Sequence, residues 1–261
     1  NDHNLLLGVL APAKVGVAPR AAANIRAQVA ARDQRFERAK RTLRAIERAM
    51  DSWSHEQSRT FWDAMEDVQP LSAIGPEWQP AASLFRDSLT RWRDALIEHD
   101  LLEHYLEHYW PHEWHRASKG LGMLVRRLFG RKPIQGPESY RKKRTIPTMS
   151  YGIDEAGLEP ASWNPATQLL RKIHEMNKSL AGRSIHADMK RDGLYMYLSV
   201  GKRLPDELKH WQPVPEYALG TVYGPRVEEQ TFGRVIAGHY YAPPEVVRLI
   251  KNHLSPGLMG Q

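Results

Sequence analysis

Between Ile25 and Trp53 the apolar residues fall in steps of three and four: Ile25, Val29, Phe36, Ala39, Leu43, Ile46, Met50 and Trp53, with Arg32 the one interruption. That spacing puts them on one stripe of a helix, with arginines and glutamates on the other faces. A helix of about 30 residues would be about 45 Å long at 1.5 Å per residue. A stripe of that length must be covered. Either other helices of the same chain fold over it as an antiparallel bundle, or a second copy does. Val29, Phe36, Leu43, Ile46, Met50 and Trp53 are the positions through which a homo-oligomer would close.

The segments that follow continue the helical pattern. Ser52 or Ser54 is placed to cap a second helix whose apolar side is Phe61, Met65 and Val68. Pro70, Gly75, Pro76 and Pro80 make a turn-rich connection, and Pro80 suits a helix N-terminus. Phe85, Leu89, Trp92 and Leu96 form the next stripe. Past a break at His99-Asp100 it is extended by Leu102, Tyr105, Leu106 and Tyr109, until Pro111 stops it. Residues 21–110 are therefore expected to form a helical bundle or long helical hairpin, after an irregular lead-in over 1–20. Residues 111–165 read as a connector and 166–192 as a helix, with Asn164 as its cap, Pro165 as its first residue and Leu169, Leu170, Ile173, Met176 and Leu180 on its apolar side. From Gly193 the period becomes two. Leu194–Val200, Tyr217–Tyr223 and Phe232–Tyr241 read as strands of a small antiparallel sheet within 193–242. Pro243-Pro244 opens a short last helix, Glu245–His253, within 243–261. The expected class is mainly α, with a small antiparallel β region (α+β overall).

Composition limits the chemistry. The 261 residues are 41% hydrophobic and 26% charged, as in a folded globular chain. With no cysteine there is no disulfide, thiolate metal site or cysteine nucleophile. The longest apolar runs, such as Leu5-Leu6-Leu7, are too short to span a membrane. The sequence begins at Asn1 without a signal-peptide pattern, as a processed product or a fragment of a longer chain would.

Patterns that carry catalysis or metal binding break down on inspection. His99, His104, His108, His112 and His115 cluster, and His104 and His108 have a helical metal-ligand spacing. Pro111 breaks that helix before His112, however, and His112-Glu113-Trp114-His115 is one residue short of the zinc-protease spacing. They read as polar residues at a helix end and turn. Neither Glu103, Glu107 and Glu113 nor Asp154, Glu155 and Glu159 form an acid–base pair by spacing alone, since such a pair must converge in a pocket. Gly220-Thr-Val-Tyr-Gly224 lacks the Gly-Lys-Ser/Thr ending of a phosphate loop, and no serine sits in a nucleophile elbow. No cofactor and no small-molecule substrate are indicated.

The strongest physical signal is charge. The chain carries a net charge of +7, and residues 116–144 hold ten Lys or Arg against the single acid Glu138. Arg126, Arg127, Arg131, Lys132, Arg141, Lys142, Lys143 and Arg144 are the candidate contacts to nucleic acid, whose attraction would be salt-dependent. Phe129 and Tyr140 are the aromatics available there, too few for base-by-base readout, so double-stranded DNA would be met non-specifically. A solvated arm, or one that pairs with acidic protein neighbours, has the same composition.

Three stretches in order, spanning about 160 residues, resemble a known family. Tyr109-Trp110-Pro111-His112-Glu113-Trp114 is similar to the Tyr-Phe-Pro-His-Ile-Trp signature of the large polyvalent proteins of tailed bacteriophages and related elements. Arg144-Thr145-Ile146-Pro147-Thr148, Gly152 to Pro160 and Asn164-Pro165 resemble that family's central track. Tyr241-Ala242-Pro243-Pro244-Glu245 with Asn252 to Leu258 resembles its close. The resemblance implies a non-enzymatic module of an internal or ejection protein, packaged in capsid or tail and delivered into the host. Its partners would be other virion proteins and DNA. The alternatives are a DNA-protecting antirestriction factor or the helical portion of a larger virion enzyme such as a polymerase. No catalytic residue carries over. The motif residues Tyr109, Trp110, Pro111, Trp114, Gly157, Pro160, Asn164 and Pro165 also fit a folded connector. In it Pro111 ends one helix, Tyr109, Trp110 and Trp114 dock the exit, Gly152 and Gly157 permit tight backbone, and Asn164-Pro165 starts the next helix.

Overall fold

The computed structural model describes residues 17–99, 101, 110–115, 146–199, 201–215, 227–231 and 234–254. The helices are α1 (Val17–Met50), α2 (His55–Met65), α3 (Gln79–Glu98), α4 (Met149–Asp154), α5 (Pro165–Arg191) and α6 (Pro244–Leu254). The strands are β1 (Met196–Ser199), β2 (Gln212–Pro213), β3 (Val227–Thr231) and β4 (Arg234–Ala242). The chain is thus mostly helical with a small antiparallel sheet. Among the described residues, no helix is long and apolar enough to cross a membrane.

Local chemistry accounts for most boundaries. Ser54 caps α2 through a reciprocal box: its hydroxyl accepts from the Gln57 amide while the Gln57 side chain accepts from the Ser54 amide. Pro80 occupies the first turn of α3, where a missing N–H costs nothing. α1 starts at Val17, inside the expected irregular lead-in, because Pro19 in a first turn is likewise tolerated.

The residues group into two compact units, 1–34 with 178–261 and 35–177. Neither is made of whole elements, since α1 and α5 each supply one part to each unit. In the first unit, α1 and α5 run antiparallel. Asn24 donates to Asp192 at 2.6 Å and Gln28 to Asp188 at 3.0 Å. Ile25, Ile185, Met189, Tyr240, Val246 and Ile250 close a core between these helices, the sheet and α6. β4 is the central strand. β1 pairs along one edge (Met196 opposite Tyr241), while β2 and β3 share the other. β1 and β4 fall where a period of two placed them. β2 and β3 were not expected, because Gln212-Pro213 and Val-Glu-Glu-Gln-Thr are extended through pairing with β4 rather than by their own propensity. The expected strand Tyr217–Tyr223 lies outside the described residues.

In the second unit α1 and α5 are again antiparallel. The Arg35 guanidinium donates to Asn177 at 2.9 Å, and Phe36 meets His174 edge-on at 4.8 Å. α2 and α3 meet through Phe61 and Phe85, 5.6 Å apart. The stripe that opened the sequence is accounted for here. Leu43 and Met50 are buried, Ile46 is half-buried and Trp53 packs on Phe61 and Trp78. Val29 packs on the core of the first unit. Contacts within the chain thus cover Leu43 and Met50 fully and Val29, Phe36, Ile46 and Trp53 in part.

Ile25→Ala should lower stability by about 2–5 kcal/mol, the usual cost of a large cavity in a closed core. Urea unfolding followed by circular dichroism measures it.

A buried carboxylate joint as the candidate functional site

Asp63 and Glu66 lie one turn apart at the C-terminal end of α2, which has no basic residue in its last turn. Helix dipoles disfavour acids at that end, so these two must find donors elsewhere. Those donors come from the motif-bearing connector. Glu66 Oε1 lies 2.6 Å from His112 Nε2, and Glu66 Oε2 accepts from the Met149 amide at 2.8 Å. Asp63 Oδ1 accepts from the Ser150 hydroxyl at 2.6 Å. The acids of α2 thus bind the first two residues of α4, Glu66 through the Met149 amide and Asp63 through the Ser150 hydroxyl. The Glu66 side chain is 1% exposed and that of His112 9%. Burial pushes the Asp63 carboxyl up, and the nearby Glu66 adds to this, while the Ser150 hydroxyl and Arg59 oppose it. Arg59 also pairs with Asp154 at the far end of α4. Arg86 from α3 donates to Ala64 O at 2.9 Å and Asp67 at 2.7 Å, closing α2's end.

Around this pair of carboxylates the connector closes on itself. Trp110 is buried against Phe61 and Phe85, and its indole donates to Gln168 at 3.1 Å. Gln168, also buried, donates to Ser162 O at 2.8 Å. Trp114 bridges to Pro160, with the His115 amide on Glu159 O and the Ala161 amide on Glu113 O, both at 2.8 Å. The Trp114 ring lies against Gly152 so closely that a Cβ there would be 2.3 Å from it. Gly157 has a φ of +60°, which glycine adopts without strain. Asn164 caps α5 by accepting from the Thr167 amide at 3.1 Å. Its side-chain amide also donates to Glu47 O at 2.8 Å and Asp51 at 2.7 Å. Pro165 is the first residue of α5, and Pro111 and Pro160 are buried.

The arrangement holds two acid–donor pairs, Glu66 with His112 and Asp63 with Ser150. Both oxygens of Glu66 are engaged, so the set holds one segment against another. Beside it, Glu113 is pushed up by burial and partly relieved by Arg171, 3.7 Å away. Lys172, almost fully buried, reaches Glu175 at 2.6 Å.

Of the expected histidines, His99 bonds its own helix at Ala95 O and His115 is exposed. His104 and His108 lie outside the described residues. No group of three or more metal-capable side chains gathers among the described residues. Tyr109 and the whole set Arg126, Arg127, Arg131, Lys132, Arg141, Lys142, Lys143 and Arg144 also lie outside them. Sequence reasoning missed Asp63, Glu66 and Ser150. The available signal was the uncompensated acid pair at a helix C-terminus. It also missed His186, buried between Tyr195 and Tyr240 with its pKa lowered to about 3, chiefly by burial and then by Lys190 and Arg183. Compared with known protein families, curated proteins and solved structures, the chain matches none.

Gly152→Ala should displace Trp114 and cost about 1–3 kcal/mol, as overpacking does. In a Trp114→Ala background the same change should cost clearly less, because the close contact that is left is Ile146 Cγ2 at 3.2 Å and alanine is the better helix former. Thermal unfolding of the four proteins measures the difference. A second expectation concerns pH. Because Asp63 has a raised folded-state pKa, its contribution is full below 3.8 and is lost as pH rises through the folded value. The stability difference between wild type and Asp63→Asn should therefore shift in favour of wild type as pH falls through the interval just above 3.8. Denaturation at closely spaced pH values reads this.

Proposed function

We propose that this chain is a non-enzymatic module of a bacteriophage virion protein of the internal or ejection kind. It assembles with other virion proteins and touches DNA while the genome leaves the particle. The observation that supports this reading is the mutual closure of the residues on which the family resemblance rests. Trp114 seats on Gly152 and bridges to Pro160, Trp110 packs on both Phe61 and Phe85, and Asn164 starts α5. Such residues suit a module whose task is to hold a shape among neighbours. The acids and histidine within it are engaged with each other, with the Met149 amide and with the Ser150 hydroxyl, which suits a structural part better than a reacting one. The basic arm over 126–144 supplies the DNA contact, and its charge makes that contact independent of base sequence.

Antibodies raised against residues 165–191 should detect the chain in purified particles of the encoding element, and in cells shortly after infection with protein synthesis blocked. A chain found only after new synthesis, and never in particles, contradicts the proposal.

A further inference from the structure

The solvent face of α1 carries a row of cations outside the basic arm. Within the second unit, Arg38, Lys40, Arg41, Arg44 and Arg48 line α1, and none of them is buried. Over residues 37–48 five cations against the two acids Glu37 and Glu47 leave three net positive charges, and of those acids Glu37 is the exposed one. The other acid, Glu47, is turned to α5, where its carboxylate accepts from Thr167 at 3.0 Å. Among the described residues none of the five forms an ion pair. Arg41 reaches only the backbone, Glu37 O at 3.3 Å. From Arg38 to Arg48 the row runs along continuous helix for about 15 Å.

A row of this kind has a chemical preference. The other exposed residues of the same stretch include Thr42, Ala45 and Ala49, and no aromatic or large aliphatic side chain is exposed among them. A protein-docking face is built around such anchors, and this one has none. Duplex DNA presents one phosphate charge per about 1.7 Å of axis, so about 15 Å of helix faces several. Arg38, Arg41, Arg44 and Arg48 carry planar forks that match phosphate oxygens. We infer that the solvent face of α1 from Arg38 to Arg48 is a second polyanion-binding surface, which takes the phosphate backbone of duplex DNA without sequence preference. It stands whether or not the arm over 126–144 contacts DNA, and whatever particle the chain belongs to.

The test is binding of the full chain to a fluorescent random duplex of about 25 base pairs, by anisotropy, across about 50–200 mM salt. Two variants are compared with wild type. One replaces Arg38, Lys40, Arg41, Arg44 and Arg48 by Gln; the other replaces Arg141, Lys142, Lys143 and Arg144 by Gln. Glutamine is a good helix former, so α1 should persist by circular dichroism. The stripe variant should bind at least about tenfold more weakly at the low-salt end, with a log–log salt slope shallower by about 3 to 4, near 0.9 for each phosphate no longer neutralised. Should it unfold, Arg41→Gln and Arg44→Gln singly should each reduce the slope by about one. Restoring the five cations as lysines should restore the slope. A stripe variant, or single variants, with the wild-type slope overturns the inference, as does a wild-type chain that binds no duplex. If the arm variant keeps the wild-type slope while the stripe variant loses it, the arm contact fails and the inference holds.

Discussion

One side chain sets the register on which the second unit is built. Asn164 accepts from the Thr167 amide at the start of α5 while its own amide donates to Glu47 O and Asp51 at the end of α1. The last carbonyls of a helix and the first amides of the next are the backbone groups that lack intrahelical partners. A single asparagine satisfies both kinds at once and fixes where α5 begins relative to α1's last turn. The Thr167 hydroxyl on the Glu47 carboxylate, and Arg35 on Asn177 further along, keep the same antiparallel register. That register brings His174 against Phe36 and buries Leu43 and Met50, the part of the apolar stripe of α1 that lies in the second unit.

The connector between α3 and α5 solves the opposite problem. α2 ends with two carboxylates where its dipole repels them, and α4 begins with a Met149 amide that has no partner within the helix. Putting one against the other satisfies both, and His112 and the Ser150 hydroxyl take the acceptor capacity that remains. Each hydrogen bond to a charged group is worth about 1.5–3 kcal/mol in such surroundings, and an orphaned partner costs as much. The tryptophans then seal the joint. Trp110 packs on both Phe61 and Phe85, and Trp114 lies flush on Gly152, where any larger residue would hold it off.

Much of this was legible from residue types. The Ser54 cap, the Pro80 start, the Asn164-Pro165 start and the final helix after Pro243 are each local chemistry, and each falls where its residues put it. The stripe from Ile25 to Trp53 announced a long helix, but periodicity cannot say what covers it. The partner α5 lies far along the chain. The sheet was visible in the Tyr- and Val-bearing β4 and invisible in β3, whose acidic sequence is extended because β4 pairs with it. The joint was half-visible. Its aromatic, proline and glycine residues stood out, whereas Asp63 and Glu66 looked like ordinary helix acids until their donors arrived from beyond residue 111. No local pattern encodes a pairing between residues 66 and 149.

The described residues of the connector, 111–115 and 146–165, are a folded part of the second unit, not a loop laid over it. Hydrogen–deuterium exchange of the full chain, resolved to single amides, tests this most directly. The amides of Met149, Gly152, Leu158 and Ala161 are bonded to Glu66, Thr148, Gly152 and Glu113. Protection of these four that matches the interior of α2, and is lost together with it under mild denaturant, is the result expected of one cooperative unit. Exchange of the four within seconds while α2 and α5 remain protected would contradict the account.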